Sequence, residues 1–352
     1  MVVKFFSNEK NHAFIVPIIS VLLGFLAGAI IMIITGIDPI DGYRALIKGV
    51  VGNPRKFGEW IVSSTPLILS GLALAFGFRT GLFNIGVEGQ LIMGSFAAAA
   101  VGILVEAPRI IHLPLALLAA AVAGGLWAFI PGILKAKFRV HEVVVTIMLN
   151  YTALHIINYV VKILPGSSKT KTVAIHETAT LSNKFMSTIT GNSRLHLGIF
   201  VALIMAVIFW YIIEKTSFGY ELRAVGFNPD ASEYAGMRVN RNIVYSMMIS
   251  GAFAGLAGAM ISIGTFSYAR VIGGFEGYGL DGIAVALLGS NSGLGVVIAG
   301  FLFGALKSGS SSMALASVPK EIAEIIMAFI VLFAAMNYGI KRLLIRLGKE
   351  GK

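Results

Sequence analysis

The sequence contains no cysteine among its 352 residues. Disulfide bonds, a catalytic thiol and cysteine-ligated metal sites are therefore excluded. Charged side chains are also scarce, at 13% of the residues, whereas soluble proteins average about 25%. A water-soluble globule with so few charges would have too little polar surface to remain dispersed. The composition thus excludes an ordinary soluble enzyme, and the high apolar content excludes intrinsic disorder.

Apolar residues and glycine take the place of the missing charges. Hydrophobic residues make up 57% of the chain, the mean hydropathy is +0.85 and there are 41 glycines. Glycine within apolar runs is typical of closely packed membrane helices. Glycines four positions apart predict close helix contacts within the chain or, for one or two pairs, between chains: Gly24/Gly28, Gly251/Gly255, Gly289/Gly293 and Gly300/Gly304.

The apolar runs predict an all-α, polytopic membrane protein with about ten transmembrane segments. The first run is longer than the core of a signal peptide, so we predict a retained membrane helix there. The runs cover 14–34, 61–78, 81–105, 113–134, 143–164, 197–213, 243–264, 283–288, 293–313 and 322–338.

One of these runs, 283–288, is too short to cross a membrane. Even when extended to 277–289 it would give only about 20 Å of helix. We predict a broken or re-entrant helix, which survives at membrane depth only against protein or a water-filled cavity. The alternative is a helix lengthened by the preceding glycine-rich stretch, with an ordinary kink.

The distribution of Lys and Arg predicts that both termini lie in the cytoplasm. Among the short loops, those on the same side as the termini carry most of the Lys and Arg residues. Short cytoplasmic loops of membrane proteins are enriched in these residues. We therefore attribute the formal net charge of +11 to basic cytoplasmic loops and to contact with anionic lipid, rather than to nucleic-acid binding. We predict one transmembrane domain over 1–352, with an extracytoplasmic segment at 165–196 and a cytoplasmic loop at 214–242.

A few polar residues interrupt the apolar runs. Glu88 is costly within a membrane unless it faces the protein interior or water, and we place Asn84 on the same helix face four residues earlier. With Gln90, these residues predict a pathway or hinge element; the alternatives are a polar lock between helices or a cap on a half-helix. Asp281 is interpreted as the N-cap of a half-helix or as a substrate contact, and Lys307 as snorkelling or paired with a carboxylate.

Motifs for enzymatic chemistry are missing from the sequence. His141 and Glu142 do not begin a zinc motif, because position 145 is valine. Residues 304–309 lack the terminal Gly-Lys-Ser/Thr order of a phosphate-binding loop, and there is no Gly-x-Ser-x-Gly nucleophile elbow. We therefore predict no metal site, no cofactor and no ATP binding by this chain itself.

The segment 217–237 predicts a short, sharply bounded helix. Asn228 is a good N-cap, Pro229 suits the first helical position, and Asp230 and Glu233 complement the helix N-terminus. Gly236 can end the helix in the left-handed conformation. A helix of this length is not stable alone, so we expect it to dock against another surface; the alternative is a simple surface turn.

This segment resembles the coupling segment of permeases from ABC importers, in which an alanine-containing helix ending in glycine enters a groove of the ATPase. Residues 81–90, 142–151 and 279–289 resemble signatures of the permease superfamily for ribose, branched-chain amino acids and nucleosides. The combination is most similar to the larger permease subunit of bacterial nucleoside importers. The resemblance implies ATPase contact by Asn228, Pro229, Asp230, Ala231, Glu233 and Gly236, and pathway or hinge roles for Asn84, Glu88, Gln90, Asn150 and Asp281.

The resemblance also implies a function and a set of partners. The chain is expected to be a transport subunit rather than an enzyme, located in the bacterial inner membrane and forming half of a nucleoside pathway by alternating access. The implied partners are a separate ABC ATPase, a second related permease and an extracytoplasmic binding protein. Alternatives are a simple-sugar ABC permease, an ion-coupled secondary transporter using Glu88 or Asp281, and, least favoured, a membrane-embedded enzyme.

Overall fold

The computed structural model describes residues 12–336 and 339–342. Within these ranges the chain is helical and forms no β-strand, which confirms the all-α prediction. The helices are α1 (His12–Ile34), α2 (Pro39–Val51), α3 (Pro54–Arg79), α4 (Val87–Leu104), α5 (Arg109–Phe138), α6 (Glu142–Ile163), α7 (Lys184–Ile189), α8 (Gly198–Lys215), α9 (Ser217–Phe227), α10 (Pro229–Tyr234), α11 (Val239–Ala259), α12 (Tyr278–Leu288), α13 (Gly293–Leu315) and α14 (Glu321–Ala335).

Eight helices in the described part of the chain are long and apolar enough to cross a membrane, which makes this a multi-pass membrane protein. They are α1, α3, α4, α5, α6, α8, α11 with its π-helical extension (Met260–Phe266), and α13. The other two predicted segments correspond to α12, with 11 residues, and α14, with 15 residues. Both are shorter than the ~20 residues that span a bilayer. Helix α3 contains Pro66 and is continuous across it.

Polar segments gather at the two ends of the helix bundle. At one end, the segment 164–197 is fixed to the helix ends, for example by the ion pair between Arg194 and Glu59 at 2.6 Å. At the opposite end, α9 packs beside the turn between α3 and α4, where Arg79 pairs with Glu214. The two ends are thus chemically distinct surfaces joined by the long helices.

Glycines bring the backbones of α4, α5 and α11 into direct contact. A Cβ on Gly255 would lie 2.1 Å from the carbonyl oxygen of Ala120, and one on Gly94 would lie 2.3 Å from the Gly255 Cα. Gly124 of α5 meets the Gly251 carbonyl oxygen in the same way. Close backbone packing of this kind holds helices together in lipid, where no hydrophobic driving force acts between them.

The other predicted glycine pairs also contact helices of this same chain. Gly24 and Gly28 pack against Ile330 and Ile326 of α14. In α13, Gly300 and Gly304 pack against Ile68 and Ser64 of α3, while Gly289 and Gly293 lie at the α12–α13 turn.

Helix α12 begins inside the bundle. The chain leaves the π-helical end of α11 near the 164–197 segment, where the Thr172 amide donates to the Ala269 carbonyl at 2.9 Å. It then passes through 267–277 to the start of α12, where Gly279 contacts Glu88 and Gly282 contacts Ser70 in the middle of α3. Helix α13 returns from α12 to α2, against which Gly309 packs. The start of the short helix is therefore held against α3 and α4.

Replacing Gly255 tests the glycine contact. We expect Gly255→Val to lower the free energy of unfolding by at least about 1–3 kcal/mol, because the side chain collides with backbone rather than with a movable side chain. Thermal unfolding of the detergent-purified protein measures this change. The control is Gly273→Ala, since an added Cβ there meets nothing within 4 Å; equal melting temperatures for the two variants would contradict the prediction.

Candidate functional site

The buried carboxylate of Glu88 caps the N-terminus of α12. Its Oε1 accepts hydrogen bonds from the amides of Glu276 (3.0 Å) and Gly277 (3.1 Å), and its Oε2 accepts from Gly279 (2.5 Å). Only 3% of Glu88 is exposed. The first amides of a helix lack internal partners and carry the positive end of its dipole, so the carboxylate and the helix start satisfy each other.

Glycines make this capping geometry possible. Gly277 has a φ of +81°, in the left-handed region that favours glycine. A Cβ on Gly279 would lie 2.6 Å from the Glu88 Oε2 and 2.7 Å from the Glu88 backbone nitrogen. The close approach of the two backbones therefore requires glycine at 279.

Asp281 does not cap α12, so its prediction as an N-cap is wrong. The N-cap is Gly277, and Asp281 lies in the first turn, where its Oδ2 accepts a hydrogen bond from Lys307 Nζ at 2.7 Å. Lys307 also donates to the Glu276 carbonyl at 3.2 Å, and its ammonium lies 4.1 Å from the centroid of the Tyr278 ring. The start of α12 is thus held by Glu88 through its amides and by Lys307 through a carbonyl.

Asn150 fixes the start of α4, on which Glu88 lies. Its Oδ1 accepts a hydrogen bond from the Gly89 amide at 2.8 Å, and its Nδ2 donates to the Ile85 carbonyl at 3.0 Å. A single side chain from α6 therefore bridges the turn before α4 and the first turn of that helix.

Asn84 and Gln90 form a buried pair of amides beside Glu88. Asn84 Nδ2 donates to Gln90 Oε1 at 2.9 Å, Gln90 Nε2 donates back to Asn84 Oδ1 at 3.0 Å, and Asn84 also donates to Ser250 Oγ. The expectation that Asn84 shares a helix face with Glu88 is wrong, because Asn84 lies in the non-helical stretch before α4. This stretch folds back so that the side-chain amide of Asn84 contacts Gln90 in the first turn of α4.

A narrow cleft lies on one side of the capped segment. It is lined by Glu88, Phe96, Phe266, Arg270 and Glu276 and has room for about one water molecule. Arg270 pairs with Glu276, and its guanidinium lies 4.0 Å from the centroid of the Phe266 ring. The cleft is therefore closed to a larger molecule in this conformation.

A wider groove lies on the other side of the same segment, between α12, α13 and α14. Its volume is about 410 Å³, and its polar lining comes from Asp281, Lys307, Ser310 and Glu324. Glu276 borders both the groove and the narrow cleft. The capped start of α12 is therefore the wall between two cavities.

The predicted short helix between α8 and α11 is α10, and its boundaries follow the local sequence. Asn228 Oδ1 accepts a hydrogen bond from the Ala231 amide at 3.0 Å, and Pro229 occupies the first helical position. Gly236 has a φ of +84° and follows the helix. Asp230 and Glu233 are exposed, so this end of the bundle presents carboxylates to its surroundings.

Two exposed aromatic side chains lie at the two ends of α10. Phe227 is 91% exposed and Tyr234 is 96% exposed. Both rings are therefore open to contact at the end of the bundle that carries α10.

The α9–α10 region is fastened to the turn between α3 and α4. Glu214 pairs with Arg79 and, at 2.7 Å, with Arg223. A Cβ on Gly81 would lie 2.9 Å from the Gly226 Cα, so the two backbones touch. Helix α9, which leads into α10, is therefore in direct contact with the turn that carries Asn84.

Sequence reasoning missed two participants in this site, Ser250 and Glu324, while the structure confirms the predicted pairing of Lys307 with a carboxylate. Ser250 links the Asn84 amide to α3 by donating to the Ala73 carbonyl at 2.6 Å. The sequence did not identify which carboxylate pairs with Lys307. The signal that could have found Glu324 is the cost of an ionisable group in an apolar helix, which implies a partner or water.

Comparisons with known proteins were made for the whole chain. A family model described as branched-chain amino acid transport system / permease component matches residues 57–335. The guanosine ABC transporter permease protein NupP of Bacillus subtilis is 57% identical, over 96% of this chain and 97% of its own. The nucleoside permease protein NupB of Lactococcus lactis is 38% identical, over 96% and 94%. The glucose permease protein TsgB13 of Haloferax volcanii is 33% identical, over 93% and 88%. No solved structure matches.

Replacing Glu88 with glutamine tests the cap on α12. The amide offers one acceptor oxygen where the carboxylate offers two, so at least one of the three amides loses its partner. We expect hydrogen exchange at 276–279 to become about 10–100-fold faster, because an unmet buried donor costs about 1–3 kcal/mol. Mass spectrometry of the purified protein measures this, with Glu106→Gln in an exposed loop as the control. Unchanged exchange at 276–279 would show that Glu88 does not hold this segment.

Proposed function

The chain belongs to the permease-component family of branched-chain amino acid transport systems, and from this we propose that it is the transmembrane subunit of an ATP-driven nucleoside importer. Members of this family are transport components rather than enzymes. The observation that carries the proposal is the similarity to permeases named for guanosine and nucleosides over nearly the whole length of both chains. ATP hydrolysis is then supplied by a separate ATPase subunit.

The proposed pathway runs along the groove between α12, α13 and α14. Glu324 is exposed in the groove, and Asp281 and Lys307 are partly exposed there. Charged side chains do not face lipid at membrane depth, so another protein surface is needed to cover them. This supports a second, related permease subunit that completes the pathway.

Different roles follow for the predicted pathway residues. Asp281 lines the pathway, whereas Glu88 holds the start of the half-helix. The buried amides of Asn84, Gln90 and Asn150 hold Glu88 in place and act as the hinge frame. The ion pair and the cap at the start of α12 also favour alternating access. Such contacts can be exchanged for others when a transporter changes between two states.

We propose that about ten segments cross or enter the membrane, with α12 as the broken one and both termini in the cytoplasm. Basic residues in the short loops near α9 and α10 support this orientation. The segment 165–196 is then extracytoplasmic, where a binding protein delivers the substrate. The loop 214–242 is cytoplasmic, 1–352 is one permease domain, and the membrane is the bacterial inner membrane.

The proposed contact with the ATPase is α10 with its flanking residues. Its exposed carboxylates, Asp230 and Glu233, and its exposed neighbours, Phe227 and Tyr234, give a polar and aromatic surface for a groove in the partner. The coupling residues are Asn228, Pro229, Asp230, Ala231, Glu233 and Gly236.

A simple-sugar permease is the second candidate function. The similarity to a relative named for glucose transport favours it, and ribose is itself part of a nucleoside. The lower identity of that relative makes the nucleoside assignment the stronger one.

Uptake by the assembled transporter tests the substrate class. The chain is reconstituted in liposomes with its ATPase, second permease and binding protein, and uptake of labelled guanosine, inosine, ribose and glucose is measured with and without ATP. We expect ATP-dependent uptake of the nucleosides. Uptake of ribose or glucose alone would favour the sugar permease, and gradient-driven uptake by the isolated chain would indicate a secondary transporter.

A substitution at Gly236 tests the coupling role of α10. At a φ of +84° a β-branched side chain is strained although no atom lies within 4 Å, so Gly236→Val changes the end of α10 without a collision. We expect uptake to fall by about tenfold or more, since a 1.4 kcal/mol loss of ATPase affinity is one factor of ten. Co-purification of the ATPase and uptake are measured, with Gly273→Ala as the control. Unchanged co-purification of the ATPase together with unchanged uptake would show that α10 has no coupling role.

A further inference from the structure

The groove between α12, α13 and α14 combines one cation with two carboxylates. Asp281 and Glu324 contribute negative charge, and Lys307 contributes positive charge. The remaining carboxylate at the border, Glu276, pairs with Arg270 on the side of the narrow cleft. The groove is therefore negative overall, so an anionic solute is repelled from it.

Donor and acceptor groups lie next to each other in this groove. Lys307 Nζ is 2.7 Å from Asp281 Oδ2, and both side chains are about one quarter exposed. Glu324 forms no ion pair with any residue that the structure describes. Adjacent carboxylate and ammonium groups suit a vicinal diol, because each hydroxyl can donate to one and accept from the other.

The groove is also the right size for a small uncharged solute. Its volume of about 410 Å³ falls within the range of about 300–1,000 Å³ seen for small-molecule sites. Apolar side chains such as Leu280 and Met327 complete the lining, which suits the flat face of a base. The cleft beside Glu88 has room for about one water molecule and offers no comparable space.

We propose that this groove binds the ribose diol of an uncharged nucleoside between Asp281 and Lys307, and that its net negative charge rejects nucleotides. The proposal rests on the proposed function and adds to it the chemical basis of selection within the membrane. Asp281 accepts from the diol, Lys307 donates to it, and Glu324 supplies the charge that repels a phosphate.

A single introduced cysteine tests the charge and the occupancy of the groove. Ser310 lines the groove, and the native chain has no cysteine, so the complex with the native chain gives the background from partner subunits. In the complete reconstituted complex carrying Ser310→Cys, modification rates are compared for a cationic and an anionic methanethiosulfonate reagent. We expect the cationic reagent to react about tenfold faster, and salt to reduce the difference.

Ligand protection identifies the chemistry that the groove recognises. Inosine is expected to slow modification at least about threefold, because an occupied site excludes the reagent. Inosine monophosphate, repelled by the groove, and 2′,3′-dideoxyinosine, which lacks the diol, are expected to leave the rate unchanged. Adding Asp281→Asn and Glu324→Gln should abolish the protection and reverse the charge preference, because Lys307 then leaves the groove with a net positive charge.

The matched control is Leu294→Cys on the same helix α13. Leu294 is 72% exposed beside apolar residues of α8, so its thiol faces lipid and should react slowly with both reagents. If Ser310→Cys reacts as slowly as this control, shows no charge preference, or is protected equally by the nucleotide or the dideoxynucleoside, the proposal is wrong.

The uptake measurement separates this proposal from the proposed function. A complex that imports nucleosides while inosine fails to protect the Ser310→Cys thiol would overturn only the groove assignment. A complex that imports no nucleoside would overturn the proposed function, whatever the charge preference of the thiol.

Discussion

The structure depends on one buried carboxylate that meets the start of a helix in the middle of the bundle. Glu88 needs donors because its charge is buried, and α12 needs acceptors because its first amides have no internal partners. Three hydrogen bonds of 2.5–3.1 Å between them satisfy both groups. The pairing fixes where the half-helix begins, and that position brings Asp281 to Lys307 and opens the groove between α12, α13 and α14.

Two kinds of packing surround this point. Glycine contacts among α4, α5 and α11 bring backbones together and leave little freedom for movement, because no flexible side chain lies between them. The hydrogen bonds and ion pairs around α12 can instead be exchanged for others. The architecture therefore combines a close-packed frame with a polar segment suited to two arrangements, which alternating access requires.

A physical link connects the proposed ATPase surface to this segment. Helix α9, which leads into α10, is joined through Arg223, Glu214 and Arg79 to the end of α3, and the Gly81–Gly226 contact joins it to the following turn. That turn carries Asn84, which is hydrogen-bonded to Gln90, two residues after Glu88. A continuous series of contacts therefore leads from α9 to the wall between the two cavities.

The sequence by itself determined the membrane class, the shortness of α12 and the boundaries of α10. Each of these depends on composition or on groups within a few residues of one another, such as Asn228 and Gly236 around α10. Tertiary structure alone decided which carboxylate caps α12, because Glu88 and Gly279 are 191 residues apart. It also decided that Asp281 pairs with Lys307 and that Asn84 precedes its helix. A local pattern shows that a buried charge or a helix start needs a partner, but only the packing of distant segments selects that partner.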